Sequence, residues 1–292
     1  MALSETQLEG IVDQVVRRIS GGQSPAPRAP AVIQGRRGVY DDLDGAIRGA
    51  TAAFEKWQET TLEVRNRVIE AMREITRRNA AQLAEMAVAE TGLGNVKDKI
   101  QKNLLVANKT PGTELLHPRA VSGDFGLTLT ERAAFGVIGA ITPSTNPTET
   151  IINNGIGMVA GGNAVVFNVH PSAKKVSAHH IQLINEAIVS AGGPESLVCC
   201  LAEPTIESAQ AVMKHPGIRL VVVTGGPAVV RAAMTSGKRA IAAGPGNPPA
   251  VVDETAHIEK AGRDIVNGAS LDNNIVCIVE KEVLRSRRSP TR

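Results

Sequence analysis

The apolar positions of this chain change rhythm once, near Phe135. Before that point they recur at helical spacing. After it, continuous apolar runs alternate with amphipathic stretches. Residues 41–110 carry the first pattern. Asp41-Asp42 can cap a helix on which Leu43, Ala46, Ile47, Ala50, Phe54 and Trp57 share one face. A second helix is expected at about 62–79, with Val68, Ile69, Met72 and Ile75 inside. A third spans about 80–90 and ends at Thr91-Gly92-Leu-Gly94, where glycine is a stop signal. This region reads as scaffold.

The second pattern has apolar runs at 136–141, 164–169, 197–201, 220–223, 239–242 and 250–252. Helix-like stretches lie at about 147–160, 174–191, 205–214, 227–236 and 257–267. Runs of Val and Ile suit strands buried on both faces. Their alternation with helices predicts an α/β chain with a parallel, doubly wound sheet. Such sheets bind ligands beyond the carboxyl ends of their strands, so the residues just after each strand are the informative ones.

The N-terminus forms a unit of its own. Leu8, Ile11, Val12, Val15, Val16 and Ile19 make one helical stripe within residues 3–20, and a Gly/Pro-rich linker follows at 21–34. A short tethered helix cannot bury such a stripe alone, so it docks on this protein or on a partner. Composition narrows the rest. A hydrophobic content of 42% with 21% charged residues is that of a globular protein. A net charge of +3 and 2% aromatic residues give no case for nucleic acid. No run reaches the roughly 18 apolar residues that span a bilayer, and no secretory signal is evident. Three cysteines make no disulfide framework, and a reducing cytosol is the default compartment.

Several post-strand clusters carry candidate chemistry. Thr142-Pro-Ser-Thr-Asn-Pro147 leads into a helix, where Asn146 is either an N-cap or an oxyanion donor. His170-Pro-Ser-Ala-Lys-Lys175 opens another helix and reads either as a phosphate or ribose site or as an ordinary cap with solvated lysines. His179 and His180 are adjacent and lack metal-ligand spacing. Thr224-Gly-Gly-Pro227 is a strand–glycine turn–helix junction suited to a nucleotide phosphate, although G-x-G-x-x-G is absent. Gly155-Ile-Gly157 follows no strand and suits close helix packing. Gly244-Pro-Gly-Asn-Pro-Pro249 is a rigid turn, a hinge or a site loop. Cys199 and Cys200 sit inside an apolar run and read as core. Cys277 differs: Asp272-Asn-Asn274 precede it, and a polar approach with backbone amides favours the reactive thiolate of a loop nucleophile.

In this order, Thr142-Pro-Ser-Thr-Asn-Pro-Thr-Glu-Thr-Ile-Ile-Asn-Asn154, Gly162-Asn-Ala-Val-Val-Phe167 with His170-Pro171, Val223-Thr-Gly-Gly226, Ala243-Gly-Pro-Gly-Asn-Pro-Pro249 and Gly268-Ala-Ser-Leu-Asp-Asn-Asn274 through Cys277 resemble the aldehyde dehydrogenase superfamily. The resemblance is closest to the CoA-acylating propionaldehyde and acetaldehyde dehydrogenases of bacterial microcompartments. It implies a Rossmann-like NAD-binding domain with N-terminal helices at 35–245 and the start of a catalytic domain at 246–282. It makes Cys277 the nucleophile and Asn146 the oxyanion-stabilising amide, acting with the Cys277 backbone N–H. Thr142, Pro143, Ser144, Thr224, Gly225 and Gly226 become cofactor-binding positions. His170 and Pro171 fall at the adenosine ribose, with Asn168 at the usual lysine position. Hydrolytic members carry a glutamate where Ala242 stands, so an acyl-enzyme here should wait for a thiol, which implies CoA as co-substrate.

The stripe at 3–20 resembles the encapsulation peptides of this branch and implies a shell-protein partner and a microcompartment lumen. Full-length relatives of this kind are expected to be homo-oligomers. Relatives continue well past the cysteine, whereas this chain ends in a basic tail at 283–292, in which Val283 can begin a strand. A C-terminally truncated enzyme that is poorly active or inactive is therefore expected, because Cys277 lacks most of its supporting domain. The alternatives are a non-catalytic nucleotide-binding or shell-docking remnant, and a hydrolytic aldehyde dehydrogenase.

Overall fold

The computed structural model describes residues 37–286. The stripe at 3–20, the linker at 21–34 and residues 287–292 of the tail lie outside them. Four helices come first: α1 (Leu43–Gln58), α2 (Leu62–Arg78), α3 (Ala80–Thr91) and α4 (Val96–Lys109). Local chemistry sets their ends. Asp42 accepts the Gly45 N–H at 2.7 Å, and Asn95 accepts the Asp98 N–H at 2.9 Å. Gly92 closes α3 at φ 69°, a left-handed conformation that glycine adopts without strain. The Trp57 indole N–H reaches from α1 to the Val159 carbonyl at 3.0 Å, in a fully buried position. That bond ties α1 to the helix spanning Pro147–Ala160.

The main sheet is parallel, in the order β1 (Val39–Tyr40), β6 (Val198–Leu201), β5 (Ala164–Asn168), β4 (Val137–Ile141), β7 (Leu220–Thr224), β8 (Ala240–Ala243). Helices α5 (Pro147–Ala160), α6 (Lys174–Ser190), α7 (Ile206–Lys214) and α8 (Pro227–Met234) form its crossovers. Strands β4, β5 and β6 are buried along their whole length, which is why their sequences are uninterrupted apolar runs. Cys199 and Cys200 lie fully buried in β6, as core residues. Gly155 of α5 packs on Met72, where an added Cβ would lie 3.3 Å from the methionine Cε; Gly157 meets nothing.

The structure adds to the sequence reading and amends it. A hairpin, β2 (Arg119–Gly123) with β3 (Gly126–Thr130), was not expected. It is exposed throughout, so no buried face imposed a pattern, although Gly123-Asp-Phe-Gly126 is a legible turn. The short β1 was also missed. The run at 250–252 does form a strand, β9 (Pro249–Val252), but outside the main sheet. It pairs in parallel with β10 (Glu282–Arg285), so Val283 lies within a strand. Pro245, Pro248 and Pro249 lie at and before its start, where a proline supplies no ladder N–H. Between β9 and β10 lies α9 (Ile258–Ser270).

Candidate active site

From β4 the chain builds outwards through β5 and β6, then returns to the other side of β4 for β7 and β8. That reversal opens a crevice at the carboxyl ends of the strands. A cavity of about 640 Å³ occupies it. All ten residues singled out in the sequence line this one cavity: Thr142, Pro143, Ser144 and Asn146 after β4, His170 and Pro171 after β5, Thr224, Gly225 and Gly226 at the end of β7, and Cys277. The Thr142 hydroxyl is buried there with no hydrogen-bond partner among the described residues.

Asn146 stands at the N-cap position of α5, yet its side chain makes no capping bond. Pro147 follows at the first helical position and has no N–H to offer. The Asn146 side chain turns instead to α4. Its Oδ1 accepts from Lys102 Nζ at 2.5 Å, and its Nδ2 donates to Thr145 Oγ1 at 3.1 Å. An ammonium only donates, so the lysine determines which end of the amide is oxygen.

Cys277 sits in a turn between α9 and β10, partly exposed. Three successive left-handed residues lead to it, Asp272, Asn273 and Asn274, with φ of 49°, 56° and 62°. Each such conformation costs about 1 kcal/mol or more unless its surroundings enforce it. Here they do. Buried Asp272 accepts the Asn95 N–H at 2.8 Å and the Lys99 and Lys102 ammoniums at 3.1 and 2.5 Å, while its own N–H donates to Asp98 at 2.7 Å. Asn273 donates to the Gly94 carbonyl at 3.1 Å, and Asn274 to those of Ala269 and Glu280 at 2.6 and 3.1 Å. Lys281 Nζ closes the loop onto Asn274 O, Asn274 Oδ1 and Val276 O at 2.9, 2.7 and 3.0 Å. The polar approach to the thiol is therefore a bonded scaffold for the loop.

Two glycines make that scaffold possible. A Cβ on Gly94, at φ 73°, would lie 2.1 Å from Asp272 Oδ1. One on Gly246 would lie 2.0 Å from the Cys277 carbonyl oxygen. The Gly244–Pro249 segment, open to two readings in the sequence, is thus a site loop pressed against the cysteine. The other two thiols are chemically quiet: burial raises that of Cys199 and pushes that of Cys200 up to about 12.

The two helix entries expected to meet phosphate differ. At α6, the Lys175 and Val176 N–H groups donate to the Glu90 carboxylate of α3 at 2.8 Å each. Lys174 pairs with Glu203, and His170 Nδ1 accepts the Ser172 N–H at 3.2 Å. The first amides of α6 are thus taken by a carboxylate of the protein itself, while His170 and Pro171 still line the cavity. At α8, Gly226 is the N-cap and no side chain caps the helix. A Cβ on Gly226 would meet nothing within 4 Å, so the backbone there is open to the cavity.

Sequence reasoning missed the buried charges behind the cavity. Lys99 and Lys102 of α4 lie among Asp272, Glu149 and Asn146, in a helix read as scaffold. The available signal was weak: two lysines at i and i+3 on one helix face, beside the Asp272-Asn-Asn274 motif. Desolvation lowers the Lys99 pKa, while Glu149 opposes the fall. Among the described residues no group of three or more His, Cys, Asp or Glu could hold a metal ion, and no helix is long and apolar enough to cross a membrane.

Comparison with known proteins bears on this arrangement. The model of the aldehyde dehydrogenase family matches residues 23–288. An acetaldehyde dehydrogenase (acetylating) of Bilophila wadsworthia is 49% identical over 290 residues, covering 97% of this chain and 60% of that protein. A propionaldehyde dehydrogenase from the Clostridium phytofermentans fucose utilisation bacterial microcompartment superposes with a TM-score of 0.83 at 55% identity, covering 85% of this chain and 57% of that one. A Rhodopseudomonas palustris propionaldehyde dehydrogenase, solved with bound CoA and an acylated cysteine, gives a TM-score of 0.83 at 49% identity, with 85% and 57% covered. The chain thus spans about 60% of the length of such relatives.

Proposed function

The chain belongs to the aldehyde dehydrogenase family, and on that footing we propose that it carries the NAD-binding half and the nucleophile of a CoA-acylating enzyme for a short-chain aldehyde. One observation carries the reading. A partly exposed thiol, an amide held by a buried cation and an uncapped glycine turn line a single crevice at the sheet's switch point.

The residues have separable tasks. The orphaned Thr142 hydroxyl and the open backbone at Gly226, beside Gly225, fit the polar groups of a dinucleotide, with His170 and Pro171 at the ribose end. NAD, when bound, supplies a hydride acceptor. Cys277 attacks the aldehyde carbon, and Asn146 Nδ2–H with the Cys277 N–H holds the developing oxyanion. Such a donor contributes about 3–4 kcal/mol at a preorganised site. Cys277 then bears the acyl group as a thioester, and the CoA thiol takes it by exchange. No carboxylate is among the described residues lining the cavity, which supports a thiol acceptor over water activated by a base. The relatives, acetaldehyde and propionaldehyde dehydrogenases of which one was solved with bound CoA, support the same substrate class.

Mass spectrometry tests the reading. Propionaldehyde with NAD⁺ is expected to leave a propionyl group on Cys277, which added CoA removes as propionyl-CoA. Release of free propionate without CoA would establish the hydrolytic alternative. Absence of any adduct, with NADH still bound, would establish a binding remnant. The stripe at 3–20 supports docking on a shell protein inside a microcompartment. Deleting residues 1–20 should abolish co-sedimentation with shell protein and leave NADH binding intact.

A further inference from the structure

We propose that Lys102 is the positioning residue of this site: it presents the Asn146 amide to the cavity and ties the Cys277 loop to it. The inference rests on the oxyanion role given to Asn146 above. Lys102 Nζ donates to Asn146 Oδ1 and Asp272 Oδ2 at 2.5 Å each, and its charge lies 3.1 Å from Glu149 Oε1. Its side chain is 10% exposed, and that of Asp272 is fully buried. One ammonium therefore joins the amide at the start of α5 to the loop that carries the thiol.

The terminal torsion of an asparagine is soft and roughly two-fold, so an unrestrained Asn146 would present oxygen and nitrogen to the cavity alternately. Oxygen there would repel a developing oxyanion. A donor-only partner at Oδ1 selects the orientation with Nδ2 away from α4. One Nδ2 proton is bonded to Thr145, which leaves the other for the cavity. The positive charge at Oδ1 also polarises the amide and strengthens its N–H as a donor. Lys99, one turn earlier, repeats the connection through the backbone, donating to Thr145 O at 2.8 Å and to Asp272 Oδ2 at 3.1 Å. Two cations face two carboxylates, so the cluster is balanced and its burial is tolerable.

Two reactions of Cys277 separate this role from a general structural one. With p-nitrophenyl acetate, sulfur attacks the ester carbonyl, the C–S bond forms, the electron pair moves onto oxygen, and p-nitrophenolate leaves as the carbonyl re-forms. With iodoacetamide, sulfur displaces iodide from a saturated carbon and no oxyanion arises. Lys102→Met should slow the p-nitrophenolate burst by about 100-fold, and so should Asn146→Ala, while alkylation changes little. The double variant should be no slower than either single one. Should Lys102→Met not fold, the charge-balanced Lys102→Met/Glu149→Gln carries the same expectation.

Acylation and alkylation falling together in the Lys102 variant would overturn the proposal, as would multiplicative losses in the double variant. An unchanged burst in Asn146→Ala would instead remove the oxyanion role itself, and the positioning role with it. A normal Asn146 effect beside an unchanged burst in Lys102→Met would overturn the Lys102 role alone.

Discussion

Two turns of this molecule look alike in sequence and are opposites in space. After β5 and after β7 the chain leaves a buried strand, makes a polar or glycine-rich turn and enters a helix through a proline. At the first, Glu90 from a distant helix takes the amides of Lys175 and Val176, and the nearby lysine is paired. At the second, Gly226 leaves α8 uncapped, beside the cavity. A helix N-terminus attracts anions only where the protein has not supplied one already. The lesson is that local sequence identifies the helix entry, whereas occupancy is decided by residues far along the chain.

The largest expected effect lies at the open turn. Gly226 has φ −70° and free space at its Cβ, so Gly226→Val should fold normally. The added side chain should still weaken NADH binding by about 2 kcal/mol, roughly thirtyfold. Fluorescence titration measures it, and unchanged affinity would remove the contrast between the turns. Glu90→Ala is the converse experiment. Losing a charge-assisted cap should cost about 1–3 kcal/mol in urea unfolding, with NADH affinity within about twofold.

The capped helix, α6, also carries a pH signature. Burial holds the His180 imidazole down from its ordinary 6.5 to about 3. The unfolded chain binds that proton and the folded chain does not, so stability should fall as pH drops from about 6.5 towards 3, by up to about 1.4 kcal/mol per pH unit. His180→Gln should remove that share of the slope, read from unfolding midpoints across the acid range. The smallest effect is expected from His170→Ala. Loss of the acceptor for Ser172 N–H should cost about 1 kcal/mol. NADH affinity should fall by less than about tenfold, as for a side chain at the ribose end of the cavity, and a larger loss would make this turn rival Gly226.

Much of the fold was legible because each signal was local. The α5 helix was expected at 147–160 and spans Pro147–Ala160, since Pro147 opens it and apolar residues continue to its end. The buried strands announced themselves as Val/Ile runs. The hairpin at 119–130 and the two-residue β1 did not, being exposed in one case and very short in the other. Strand β9 was legible as a strand but not as a member of another sheet, because pairing partners are chosen across distance.

The sequence by itself determined most of the helices, the buried strands, their parallel winding and the positions from which chemistry could come, through periodicity, caps and turn residues acting over a few neighbours. Only the tertiary structure decided what those positions are bonded to. It brought Lys102 of α4 to Asn146 and Asp272, residues 44 and 170 positions away, and it gave Glu90 to α6 while leaving α8 free. The physical reason is that a buried charge or helix end must find its partner wherever packing places one, and spacing along the chain carries no record of that choice.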